Sequence, residues 1–367
     1  MRGRSALLVL LAVVMAACTT EGGPDRAPTP TPTPQATSTA PPITGPRVAV
    51  VRPPGQTVFG NRQRSAEAVA RVRSSFTDQL SEIRDVVAEP ASFLPEVVAL
   101  MADDGYDLVC AVGPGGLDAV LATADDYPRT RFCVVPAVAA DVPGNVLVVD
   151  VAVEEPAFIA GATAIQLAPQ APAGLVGSRS VYAFDRREAG FRAGVDSRAP
   201  PAESPAPRGE QTQPPAGQTE PDNQPPQVLV GLPADDVEAA RSLATTQYDA
   251  GAVAVYAAAG RTDEGVLAAA VAAGRGAIGV FEPNPDEDPE RSQAVLVGFQ
   301  TRLEPVLRVA IDRLLGEWSA EPVRLGFADG VFALVEGGHP RSAAALRTAE
   351  AIVEQIVAGD SPVPGGT

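Results

Sequence analysis

The stretch that most constrains this chain is Gly105–Pro136, GYDLVCAVGPGGLDAVLATADDYPRTRFCVVP. Asp107–Val112 is apolar without alternation, the pattern of a strand buried on both faces. Gly113, Gly115 and Gly116 supply a tight turn, and Leu117, Val120, Leu121 and Ala124 then recur at helical spacing. Tyr127-Pro128 ends that helix, because the residue before a proline is pushed out of the α region. Arg131–Val135 is a second buried strand. The unit is therefore a parallel β-α-β. In an open α/β sheet ligands bind beyond the carboxyl ends of such strands, which directs attention to Gly113–Gly116 and Pro136–Val138.

The same alternation runs along most of the chain. Strands are predicted at Arg47–Val51, Asp85–Ala88, Asn145–Val151, Ala173–Gly177, Val228–Gly231, Ala252–Tyr256, Ala277–Phe281 and Ala294–Val297. Helices are predicted at Ser65–Arg84, Phe93–Asp103, Glu154–Ala168, Phe184–Val195, Pro233–Thr245, Thr262–Ala273, Leu303–Leu315 and Ala343–Val357. Leu325–Phe327 and Val331–Val335 read as a hairpin over Ala328-Asp329-Gly330, and Asn284–Arg291 as an acidic loop. Strands alternating with helices make an α/β fold of parallel sheets flanked by helices. Asp196–Pro226 interrupts the rhythm with a Pro, Gln, Glu and Gly tract, read as a solvated insertion without secondary structure.

Charge and composition then exclude whole classes of function. With a formal charge of −17 there is no basic stripe to neutralise phosphates, so nucleic acid is not a partner. Every one of the 28 cationic side chains is an arginine, so chemistry that needs a lysine amine is excluded. One histidine, His339, reads as a surface turn residue beside Gly337, Gly338 and Pro340. It leaves no Ser-His-Asp or Cys-His constellation, and with three cysteines no His/Cys metal site. No enzyme, metal or cofactor is expected. Gly113-Pro114-Gly115-Gly116 lacks a following lysine and the spacing of a nucleotide-binding loop.

The first 18 residues carry an address. Arg2 and Arg4 precede an apolar run, Ala6–Met15, too short to span a bilayer. It ends in Met15-Ala16-Ala17-Cys18, which resembles the bacterial lipobox, in which Cys18 becomes a lipid-modified N-terminus; the alternative is an ordinary signal peptide with a nearby cysteine. Residues 19–46, rich in Pro and Thr, read as an extended tether. Anchor and tether together place the folded part at the extracytoplasmic face of the cell membrane. Cys110 and Cys133 fall in neighbouring buried strands, where two inert thiols suit the geometry better than a disulfide between parallel neighbours.

Several stretches now fall into one order. GYDLVCAVG resembles the segment GYDLI-x-x-VG of the basic membrane protein family, the lipoproteins that serve ABC importers and include the bacterial purine nucleoside receptors. YPRTRFCVV is similar to YP-x-x-KF-x-x-ID, and NVLVVDVAVEEPAFIAGATA to NV-x-S-x-x-F-x-x-E-E-x-x-FLAG-x-x-A. AGLVGSRSVYAFDRREAGFRAG is similar to VGFVGG followed by F-x-x-GF-x-AG. GAVAVYAAAGRTDEGVLAAA with AIGV is similar to GADVIY-x-AAG-x-TG-x-GV-x-x-AA with AIGVD. The likeness runs from about Val48 to Val335. It implies a two-lobed type I periplasmic-binding-protein fold, hinged between its lobes. The N-terminal lobe would be 47–147 plus about 300–320, and the C-terminal lobe 148–299 plus about 321–358, with 196–226 as an insertion. The implied partners are a small-molecule solute, nucleoside-like or aromatic, and an ABC transporter permease.

Where the family has an aspartate-bearing turn after the first strand, this chain has Arg52-Pro53, and only Phe59 and Asn61 resemble the Phe-Asn pair that follows. Pro136 and Phe281 replace two further aspartates, with Glu282 beside the second, and Thr301 replaces a lysine. Phe184, Gly113 and Gly260 carry over. The expected ligand contacts are thus Phe59, Asn61, Gly113, Phe184, Gly260, Phe281 and Glu282. Phe184 reads equally as a stacking ring or as packing at a helix start, Asn61 as a ligand contact or a turn residue, and Glu282 as a replacement acid or part of an acidic loop. Losing those carboxylates removes charge-assisted bonds of roughly 1.5–3 kcal/mol each, so a more apolar cleft with weak nucleoside binding is expected. A ligand-sensing or structural surface lipoprotein remains the alternative.

Overall fold

The computed structural model describes residues 44–55, 59, 62–197, 227–233, 236–281, 286, 288–361 and 363–364. Cys18, Asn61 and Glu282 lie outside these residues, as do the tether up to residue 43 and positions 198–226 of the expected insertion.

The chain begins with β1 (Arg47–Arg52), α1 (Arg62–Ser75), β2 (Glu82–Val87), α2 (Leu94–Asp103), β3 (Leu108–Val112), α3 (Gly116–Leu121), β4 (Arg131–Val135) and β5 (Val146–Val151). It continues with α4 (Glu154–Leu167), β6 (Ala173–Gly177), α5 (Phe184–Asp196), β7 (Val228–Gly231), α6 (Val237–Asp249), β8 (Ala254–Ala258), α7 (Asp263–Ala273) and β9 (Gly276–Gly279). The last part comprises α8 (Pro289–Ala294), β10 (Val295–Thr301), α9 (Glu304–Leu315), β11 (Val323–Leu325), β12 (Phe332–Glu336) and α10 (Ser342–Ala358). Two six-stranded sheets result, in the orders β11-β5-β4-β3-β1-β2 and β12-β10-β9-β8-β6-β7. Every pairing is parallel except that of β10 with β12.

The organising unit folds as its sequence dictates. All five residues of β3 are buried, as are four of the five in β4, and the two strands pair with Cys110 opposite Cys133. Both thiols are free and buried. The neighbouring sulfur and burial together push Cys110 well above the usual thiol range, which makes it inert.

Four local expectations are corrected. Ser65–Arg84 is not one helix: α1 ends at Ser75, and the apolar repeat that suggested continuation is filled differently. Leu80 closes a turn on the carbonyl of Phe76 at 3.0 Å, and Ile83 is buried from the edge strand β2. α6 starts at Val237 rather than Pro233, because Asp236 caps it by accepting from the amides of Glu238 and Ala239. The acidic stretch after Asn284 contains α8, capped by Asp288 with Pro289 at its first position. Finally, β11 and β12 form no hairpin. β11 pairs with β5 in the first sheet and β12 with β10 in the second, and Gly326–Val331 bridges the two sheets.

That bridge is one of three. The chain leaves the first sheet at the end of β5 and enters α4, which packs on β6 and β8. It leaves the second sheet at the end of β10 and enters α9, which packs on α1, β3 and β4. It crosses a third time between β11 and β12. All three departures are from strand carboxyl ends. The carboxyl edges of the two sheets therefore meet the crossovers from opposite sides.

Candidate functional site

The floor of the crossovers is charged. Asp150, on β5, accepts from Arg186 through both carboxylate oxygens at 2.6 and 2.7 Å, and from the hydroxyl of Tyr182. Arg324 of β11 approaches the same carboxylate at 3.4 Å. Glu154, the first residue of α4, has a side chain only 1% exposed and pairs with Arg324 and, at 3.8 Å, with Arg186. Its neighbour Glu155 accepts from the amide of Phe327 in the third crossover at 2.8 Å. Burial raises the Glu155 carboxyl above its usual range, against the opposing pull of that amide. One ionic network thus ties the first sheet to α4 and α5 of the second half. Asp150 is its centre, and of the Glu-Glu pair seen in the sequence Glu154 joins the ion pairs while Glu155 holds the third crossover.

The residues expected to touch ligand lie near the carboxyl edges, but their rings are turned inward. Phe59 is 2% exposed and belongs to the large core that runs through both halves. Phe184 opens α5 at 3% exposure, and its ring lies over Gly177 at the end of β6. A Cβ there would meet Phe184 Cε2 at 2.0 Å, so only glycine admits the ring. Phe281, at 7%, likewise folds back on Gly279 and packs with a different cluster on the far face of the sheet. Gly113 follows β3 with φ 97°, and its amide bonds the carbonyl of Val135 at 2.8 Å. Gly260 follows β8 with φ 65° beside Val181. The two glycines carry the strand-end turns from opposite sheets.

Three residues near these edges were missed by sequence reasoning. Arg52, at the end of β1, is fully buried and forms a bidentate pair with Asp85 at 2.9 Å for both bonds. Arg187, in the first turn of α5, is 6% exposed; its Nε donates to the carbonyl of Tyr182 at 3.3 Å and its Nη1 to the hydroxyl of Tyr256 at 3.4 Å. Asp263 opens α7 and accepts from the amide of Ala259 at 2.7 Å. Spacing offered a signal for Arg187. Counted back from Gly190-Phe191, the aromatic of F-x-x-GF falls on position 187 rather than on Phe184. α5 is held there by close helix packing, in which Gly190 and Gly194 face the carbonyls of Glu154 and Phe158 so closely that a Cβ would stand 2.4 and 2.1 Å away.

Among the described residues no group of acidic, histidine or cysteine side chains could hold a metal, and no helix is long and apolar enough to cross a membrane.

Two predictions follow from these contacts. Asp150→Ala leaves Arg186 with two neutral acceptors and only the distant Glu154 as counter-charge, so stability to urea should fall by on the order of 3 kcal/mol, the lower range for a broken buried pair. Undiminished stability would mean that the network is solvated. Burial pushes Asp263 up to about 7 from its ordinary 3.8, partly offset by the Ala259 amide. The native chain therefore holds this proton where the unfolded chain has lost it. The contribution favours folding at acid pH and is withdrawn as pH rises from about 3.8 to about 7. Because Asp263 keeps some exposed surface, the direction is what the experiment reads. The melting temperature of the wild type relative to Asp263→Asn should fall across that interval, and a flat difference would contradict the burial of this carboxylate.

The geometry can now be compared with known proteins. The family model described as Bmp, ABC transporter substrate-binding protein PnrA-like, matches residues 60–203. No curated protein matches the sequence. Among solved structures, an ABC transporter solute-binding protein from Conexibacter woesei is similar at 18% identity and a TM-score of 0.63, covering 87% of this chain and 99% of that one. One from Aeropyrum pernix is similar at 17% identity and a TM-score of 0.62, covering 86% and 92%. A transcriptional activator of the comK gene from Bacillus halodurans shares the fold at 15% identity and a TM-score of 0.61, covering 87% and 100%. The fold is that of the type I periplasmic binding proteins, and residues 60–203 are similar to the Bmp family of PnrA-like ABC transporter substrate-binding proteins.

Proposed function

We propose that this protein is the membrane-anchored solute receptor of an ABC importer, working at the extracytoplasmic face without catalysis. The observation that carries this reading is the pair of sheets whose carboxyl edges meet three crossovers from opposite sides, within a chain that matches a substrate-binding family over residues 60–203. The lobes divide after Val151, after Thr301 and, because β11 joins the first sheet, near Gly326, later than the boundaries at 148, 300 and 321 expected from the sequence. They close on the solute about the ionic floor of the crossovers and present the closed form to a permease. Cys18 carries the lipid, and 19–46 spans the distance to the folded part. Fatty-acid labelling of cells should mark the protein. Cys18→Ala should abolish the label and release the protein from membranes, and a labelled alanine variant would refute the anchor.

The solute is small and largely apolar or aromatic. Phe59, Phe184 and Phe281, expected as ligand contacts, are packed inward and support the strand ends from behind, Gly113 and Gly260 supply backbone groups, and Asn61 and Glu282 add polar contacts. The support is chemical: Arg52, Pro136 and Phe281 stand where the family has aspartates, so ribose hydroxyls would meet fewer acceptors. Each hydroxyl buried without a partner costs about 1–3 kcal/mol. Calorimetry with inosine, guanosine and adenosine should give weak or no binding. Submicromolar affinity weakened by Phe184→Ala would restore the plain nucleoside assignment. A second reading, a sensor that binds ligand without a transporter, is favoured by the same fold in the comK activator. Adjacent genes for an ATPase and permeases would decide for the receptor.

A further inference from the structure

Arg187 is the group that the fold leaves unexplained. Its side chain is nearly buried, yet among the described residues no carboxylate lies within 4.0 Å of it. Among the described residues its bonds are two long ones to neutral oxygens, at 3.3 and 3.4 Å, and Nη2 has no partner. Burying a guanidinium on such terms is costly, and buried charges in proteins are paired. Other arginines of this chain obey that rule: Arg52 has Asp85, and Arg186 has Asp150.

The location adds direction. β6 and β8 pair side by side, with Gly177 opposite Ala258, so the start of α5 and the start of α7 are neighbours at the carboxyl edge of the second sheet. Asp263, at the start of α7, feels the charge of Arg187 but forms no ion pair with it. Its carboxylate is committed to the amides of the turn after β8. Val181, Phe184 and Gly260 surround the same corner. On the facing edge, the arginine at the end of β1 is already neutralised by Asp85.

The geometry points to a solute that carries a carboxylate, with Arg187 as its anchor in the cleft. The planar fork of a guanidinium matches a carboxylate through two parallel bonds. A monoanion suits the corner better than a phosphate, because one guanidinium balances the single charge of a carboxylate but not the nearly double charge of a phosphate. This inference deepens the receptor reading and rests on it.

The full-length protein would be melted with benzoate, phenylacetate and indole-3-acetate, with the neutral amide of each, with inorganic phosphate, and with a nucleoside panel. At least one acid should raise the melting temperature while its amide does not. Calorimetry of that acid should show affinity lower by about tenfold to hundredfold in Arg187→Gln, with partial rescue in Arg187→Lys. Amides that stabilise as well as their acids, or unchanged affinity in Arg187→Gln, overturn the carboxylate anchor, as does a preference for phosphate. If Arg187→Gln does not fold, the contrast of acid with amide on the wild type still decides. A nucleoside bound equally by wild type and Arg187→Gln, with no acid bound, overturns the anchor and leaves the receptor reading standing. Silence of every panel counts against both.

Discussion

The structure depends on the ionic floor formed by Asp150, Arg186, Arg324 and Glu154. Strands β5 and β11 belong to one sheet, and α4 and α5 cover the other, so these four side chains are shared between the halves. An apolar contact in this place would be non-directional and tolerant of sliding. A bidentate arginine–carboxylate pair fixes orientation as well as distance. Two carboxylates facing two guanidiniums also leave the floor close to neutral, so the junction between the sheets carries little net charge.

The small residues of α4 and α5 make this arrangement reachable. Gly161, Gly190 and Gly194 let the two helices approach until their backbones touch, where any Cβ would overlap a carbonyl. That approach brings the first turn of α5 down to the end of β5, so Arg186 reaches Asp150 while the adjacent Arg187 is directed toward Tyr256. Two consecutive arginines thereby take opposite assignments, one structural and one directed at the cleft.

The alternation of strand and helix was plain in the sequence, because strands buried on both faces leave an unbroken apolar run that survives any detail of topology. Cys110 and Cys133 fell into register for the same reason. The third crossover was not legible. Leu325 and Val331 stand a turn apart and look like hairpin partners, and only β5, far earlier in the chain, tells Leu325 where to pair. The candidate site was legible as a location at strand ends, through Gly113 and Gly260. Its chemistry was less so, since the burial of Phe184 and Phe281 depends on Gly177 and Gly279, and neither ring announces which way it turns. Arginine in a helix whose first turn reads Phe-Asp-Arg-Arg-Glu looks like solvated surface, and nothing local shows that one of the pair is buried.

The three crossovers have a consequence for how such a chain can be divided. The first sheet takes its last strand from residues 323–325, after the second sheet has received five of its six. Neither half is therefore a contiguous segment, and a fragment cut after β5 lacks an edge strand of its own sheet and three of the four charged residues of the floor. Moving one half alone from one chain to another would therefore require three new joins instead of one, each placed at a crossover.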